Sequence, residues 1–136
     1  MRIAILVAAI AAVVGSGASA AQTSTSPTEL RVSFFPEGRS NGEPTLWTLR
    51  CAPAGGTLPK PAAACRRLAT MRSPFAPLRK DVQCTQIYGG PEQALIVGTY
   101  NGKRVWVLLA LRNGCEIARA KKLGFLVPGF GTSAGA

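Results

Sequence analysis

"ALIVGTYNGKRVWVLLAL", residues 94–111, is the stretch on which the fold turns. Two runs rich in β-branched and aliphatic residues flank Asn101-Gly102. An Asn-Gly pair in that setting is the strongest short-range sign of a tight antiparallel hairpin, because both residues tolerate the positive φ the turn demands. In the second run Val105, Val107, Leu109 and Leu111 share one face, and Trp106, Leu108 and Ala110 share the other. Both faces are apolar. One is expected to cover the core; the other needs its own cover, from a helix or from another copy of the chain.

Working outward, residues 30–35 carry Leu30, Val32, Phe34 and Phe35 and read as a short strand ended by Pro36 and the turn region 38–44. Residues 45–51 alternate Leu46, Thr48 and Arg50 with Trp47, Leu49 and Cys51, a second strand expected to pair antiparallel with the first. Prolines and glycines make 52–61 a loop, and Pro61 suits the first turn of a helix that the alanine-rich run 62–69 continues and Ser73-Pro74 ends. On the far side of the hairpin, residues 123–127 form a short apolar run expected to add an edge strand, followed by a frayed Gly-Phe-Gly tail.

The 136 residues suffice for one domain, and the N-terminus reads as an export signal. Met1-Arg2 supplies the positive end, residues 3–14 the apolar run and Ala18-Ser19-Ala20 the small-residue cleavage pattern, so 1–20 are expected to be removed. The apolar run is too short for the ~20 residues of a spanning helix, which argues against stable membrane insertion after cleavage. A flexible leader over 21–29, a domain over 30–127 and a flexible tail over 128–136 complete the expected organisation.

Composition removes several function classes. The chain has no histidine, the commonest general base and the centre of the Ser-His-Asp and Cys-His constellations, and its six acids are scattered. We therefore read it as a non-enzyme with no cofactor. Four cysteines, Cys51, Cys65, Cys84 and Cys115, are an even number in a small exported domain and point to two disulfides. Their wide spacing and the missing histidine argue against a metal site. Of the three possible pairings, the sequential one closes the shortest loops, at about 3–4 kcal/mol per bridge. Of the 16 basic residues Arg2 leaves with the signal, so the mature chain carries about +9. Arg66-Arg67, Arg79-Lys80 and Lys121-Lys122 are the densest basic groups and are not interleaved with stacking aromatics, which argues against nucleic acid as a partner.

One segment, "CTQIYGGP" at residues 84–91, sets an extended Thr-Gln-Ile-Tyr run between a cysteine and a Gly-Gly-Pro brake. Together with "LRCAPAGGTLPKPAAAC" (49–65), "GTYNGKRV" (98–105) and "RNGCEIAR" (112–119), it resembles the Streptomyces subtilisin inhibitor family of exported serine-protease inhibitors, over about residues 30–116. The resemblance implies an α+β fold: a five-stranded antiparallel sheet with two helices, bridges Cys51–Cys65 and Cys84–Cys115, and a sheet-to-sheet homodimer. It also implies a partner, a subtilisin-like or trypsin-like serine endopeptidase, and a reactive loop of Cys84, Thr85, Gln86, Ile87 and Tyr88 with the scissile bond at Gln86–Ile87. Gln86 would fill the protease's primary pocket, with Thr85 and Cys84 before it and Ile87 and Tyr88 after. Family members place a large apolar or a basic residue where this chain has Gln86, and the segment after Arg119 departs from the family pattern. The other reading of the same scaffold is a secreted binding module without inhibitory activity.

Overall fold

The computed structural model describes Gly17 and residues 27–132. All of the expected export signal but Gly17 and most of the leader lie outside the described residues, as do residues 133–136. The chain runs β1 (Thr28–Phe35), β2 (Thr45–Cys51), α1 (Pro61–Thr70), β3 (Gln93–Tyr100), β4 (Lys103–Leu109), α2 (Gly114–Leu123) and a 3-10 turn at Gly124–Leu126.

The Asn-Gly hairpin closes where the sequence places it: Asn101 (φ 48°) and Gly102 (φ 76°) both take the left-handed conformation, and Tyr100 pairs with Lys103 across the turn. β1 pairs with β2 on one side and β3 on the other, giving an antiparallel sheet of order β2-β1-β3-β4. Because side chains alternate across a strand, this register separates the residues into two faces. Leu30, Val32, Leu49, Ile96, Val105, Val107 and Leu109 point into the core. Rows such as Thr48-Arg31-Val97-Trp106 and Leu46-Ser33-Leu95-Leu108 lie on the opposite face.

Leu58 and, from α1, Ala64 and Leu68 fill one end of the core, while Leu123, Leu126 and Val127 fill the other. Each fully buried leucine contributes about 1.5–3 kcal/mol of transfer free energy. Two links fasten α1 to the sheet: the Cys51–Cys65 disulfide, with Cα atoms 5.7 Å apart, and the Tyr100 hydroxyl, which donates to the Leu68 carbonyl at 3.0 Å. The uncovered face of the sheet leaves Trp106 at 62% and Leu46 at 58% exposure.

Three expectations are corrected. Among the described residues the sheet has four strands, not five, because the run expected as an edge strand is instead the end of α2 and the 3-10 turn. Leu123, Leu126 and Val127 reach the core from there, so the same apolar spacing serves a helix end. The tail is not frayed through Gly131: the Phe130 ring meets Phe34 edge-on at 5.9 Å, and the Gly131 amide donates to the buried Glu92 carboxylate. β1 also begins at Thr28, two residues earlier than expected. There the Thr28 hydroxyl accepts from the Asn101 amide at 3.0 Å and ties the strand's start to the hairpin turn.

Candidate functional site

Residues 83–90 form no regular structure, yet their backbone is held on both sides. Cys84 is bonded to Cys115 in the first turn of α2, with Cα atoms 5.3 Å apart. One residue on, the Thr85 carbonyl accepts from the Gly114 amide at 2.8 Å. At the other end the Gly89 amide donates to the Leu111 carbonyl at 2.7 Å, and the Gly89 backbone rests against Ile117 and Leu111. Gln86, Ile87 and Tyr88 stand between these clamps and are exposed, Ile87 at 59% and Tyr88 at 66%. The Gln86 side chain folds back, its amide donating to the Cys84 carbonyl at 3.1 Å. Ile87 and Tyr88 thus set two adjacent large side chains in solvent on a backbone held at both ends.

The helix that carries the clamps is itself capped and braced. Asn113 is the N-cap, its side-chain oxygen accepting from the Glu116 amide at 3.0 Å. Glu116 in turn accepts from the Arg112 backbone amide at 3.2 Å and from its guanidinium at 3.0 and 2.6 Å. The hydrogen bond from the Arg112 side chain is the main reason the Glu116 carboxyl titrates below the ordinary glutamate range. The Arg112 guanidinium is correspondingly raised by the same bond. On the approach to the loop, Arg119 donates to the Ala76 carbonyl at 2.8 Å, which fastens the segment after α1 onto α2. Arg79 and Asp81 form an exposed pair at 2.6 Å.

Beneath the Ile87-Tyr88 side runs an apolar groove of about 640 Å³, walled by Leu111, Ile117, Phe125 and Phe130. All four cysteines are in disulfides, and among the described residues no group of three or more His, Cys, Asp or Glu side chains converges as metal ligands would. The structure thus places the five singled-out residues Cys84, Thr85, Gln86, Ile87 and Tyr88 in one segment whose backbone is tied at both ends, with the Ile87 and Tyr88 side chains exposed between the ties.

Sequence reading missed the residues that do the tying: Leu111, Gly114 and the Asn113-Glu116 cap. An Asn three residues before a Glu is a helix-start signal, and "NGCE" contains it. The Gly89–Leu111 and Thr85–Gly114 bonds join backbone groups far apart in the chain and leave no local mark.

The family model described as subtilisin inhibitor-like matches residues 25–113. "Subtilisin inhibitor" of Streptomyces violaceus is 40% identical over 74 residues, covering 52% of this chain and 50% of that protein. "Subtilisin inhibitor-like protein 5" of Streptomyces fradiae is 38% identical over 73 residues, covering 52% of this chain and 67% of that one. The chain thus spans half the length of the first of these relatives. The crystal structure of Streptomyces caespitosus sermetstatin in complex with Bacillus licheniformis subtilisin aligns with 76% of this chain and 99% of that one, at 27% identity and a TM-score of 0.48.

Proposed function

The chain belongs to the subtilisin inhibitor-like family, and from that premise we propose that it is a secreted inhibitor of serine proteases, with residues 84–88 as a substrate-like loop and Gln86–Ile87 as the scissile bond. The observation that carries the proposal is the segment clamped by Cys84–Cys115, Thr85–Gly114 and Gly89–Leu111 around three exposed residues. An extended segment docks in a protease cleft as an added strand, and stiffness removes the ordering cost of that docking. On this reading the protein supplies no nucleophile. The enzyme's serine adds to the Gln86 carbonyl carbon and the Ile87 amine leaves; because the clamps hold that amine beside the acyl group, it returns, re-forms the peptide bond and releases the serine.

Gln86 sets the target. Its amide now satisfies itself on the Cys84 carbonyl and must turn outward to enter a primary pocket. Left without partners in an apolar pocket, it would weaken binding by about 10- to 100-fold, from ~1–3 kcal/mol of lost hydrogen bonding.

The uncovered sheet face supports a second part of the proposal, a homodimer through Leu46, Trp106 and the half-buried Leu95, Val97 and Leu108. Sedimentation at rising concentration tests it, and a monomer at all concentrations would defeat it.

The inhibitory reading is tested by mixing the oxidised protein with subtilisin-like and trypsin-like proteases and following both inhibition and cleavage at Gln86–Ile87. Strong inhibition with slow cleavage is expected from at least one class. Gln86→Met should tighten subtilisin and Gln86→Lys trypsin. Rapid cleavage without inhibition, or no effect on any enzyme and no response to either substitution, would leave the binding-module reading in its place.

A further inference from the structure

Gly114 opens α2, and nothing in its backbone calls for glycine: its φ is not left-handed, and alanine is the better helix former. What calls for glycine is space. A Cβ at residue 114 would run into the Thr85 Oγ1, far inside van der Waals contact, with the Thr85 Cβ at 3.4 Å and the Thr85 amide nitrogen at 3.6 Å. Thr85 is β-branched and has only χ1 to yield with, so relief must come from a changed rotamer or from the backbone. The same two residues share the 2.8 Å bond from the Gly114 amide to the Thr85 carbonyl, and their neighbours Cys84 and Cys115 share the disulfide.

We propose that Gly114 is a positioning residue for the presented loop. By admitting the Thr85 side chain it lets the backbone seat against α2, and so fixes the Gln86 carbonyl that follows. The inference deepens the inhibitory reading and rests on it. With a side chain at 114 the Thr85 carbonyl is lifted off the Gly114 amide and the loop stands away from α2, tethered by the disulfide alone. Such a loop still enters a protease cleft, but the Ile87 amine is no longer held beside the acyl group. Water then takes its place, adding to the acyl carbon, leaving a carboxyl on Gln86 and freeing the serine. The glycine therefore separates inhibitor from substrate without touching the enzyme.

The test compares the parent, Gly114→Ala, Thr85→Ala and the double variant Gly114→Ala/Thr85→Ala. Each is followed by inhibition of subtilisin, the rate of cutting at Gln86–Ile87, amide exchange at Gly114 and the melting temperature. Gly114→Ala is expected to weaken inhibition by about 10- to 100-fold, the range set by small misplacements of reacting groups. Cutting should speed up and the Gly114 amide should exchange faster, while the melting temperature stays close to the parent's. In the double variant the two Cβ atoms meet at an ordinary distance, so exchange protection at residue 114 should return, and relative to Thr85→Ala alone the added Gly114→Ala should change inhibition and cutting little. Parent-like behaviour of Gly114→Ala, or a Gly114→Ala effect just as large in the Thr85→Ala background, overturns the proposal. If Gly114→Ala fails to fold, recovery of the fold in the double variant establishes the same steric dependence and its absence overturns it. If the parent inhibits nothing, the inhibitory reading falls, and exchange and cutting rates across the four proteins still decide whether Gly114 seats the loop.

Discussion

The two disulfides do the same chemistry in opposite surroundings. Cys51–Cys65 joins the end of β2 to α1, among Leu49, Leu58, Ala64 and Leu68, all of them buried. Cys84–Cys115 joins an exposed, irregular segment to the start of α2, where Gln86, Ile87 and Tyr88 have no core to enter. In the first region packing already fixes the geometry and the bridge reinforces it. In the second the bridge, with two backbone hydrogen bonds, takes the place of packing. A side chain buried to hold a loop still is lost to recognition. Rigidity from the backbone side leaves Ile87 and Tyr88 exposed and holds Gln86 only by a single side-chain hydrogen bond, as the proposed presentation of a peptide needs.

The comparison is broken most severely at the packed end. Leu68 is fully buried, so Leu68→Ala should destabilise the domain by about 2–5 kcal/mol, read as the shift of a urea unfolding midpoint at unchanged slope. Its effect on inhibition, measured well below the unfolding transition, should be small. A Leu68→Ala protein that is stable but inhibits poorly would mean that the two regions are mechanically coupled.

Removing each bridge sharpens the contrast. With sequence separations of 14 and 31, chain entropy assigns about 3 kcal/mol to Cys51–Cys65 and nearer 4 kcal/mol to Cys84–Cys115. The paired serine substitutions should therefore lower stability by similar amounts. Inhibition should part them: Cys51→Ser/Cys65→Ser should inhibit close to the parent under folding conditions, and Cys84→Ser/Cys115→Ser should be cut at Gln86–Ile87 as a substrate. Equal losses of inhibition from the two pairs would show that the loop's stiffness is a property of the whole domain.

The same division explains what could be read from residues alone. The hairpin at Asn101-Gly102, β2 and α1 announce themselves through alternation, turn chemistry and proline placement, all local. The end of α2 does not: "LGFLV" is a short apolar run that suits a buried helix end as well as a strand, and periodicity over five residues cannot separate them. The packing of Phe130 on Phe34 reaches across most of the chain, and that of Gly131 on Glu92 across 39 residues, and neither has a signature near either partner. At the candidate site the segment itself is legible, bounded by Cys84 and Pro91. Its seat is not, because Leu111 and Gly114 act through backbone groups and through the absence of a side chain.

The smallest effect expected is electrostatic and falls on the loop-bearing end alone. The hydrogen bond from Arg112 holds the Glu116 carboxyl below its ordinary range, so its proton binds more weakly folded than unfolded. Stability from that difference is complete above the ordinary glutamate range and is lost as the pH falls through the lower folded value. Acidification from about pH 6 to pH 3 should then release the brace on Arg112, fray the first turn of α2 and speed amide exchange at Gly114 more than in α1. Arg112 is largely exposed, at 62%, and an i,i+4 pair of this kind is worth only about 0.3–0.5 kcal/mol. Glu116→Gln should flatten the acid-side dependence at Gly114, and 0.5 M salt should shrink it, since exposed charges are screened. If acid loosens α1 and α2 equally in the parent, or if Glu116→Gln leaves the pH dependence intact, the brace is not what keeps the loop's seat in place and the backbone clamps carry it alone.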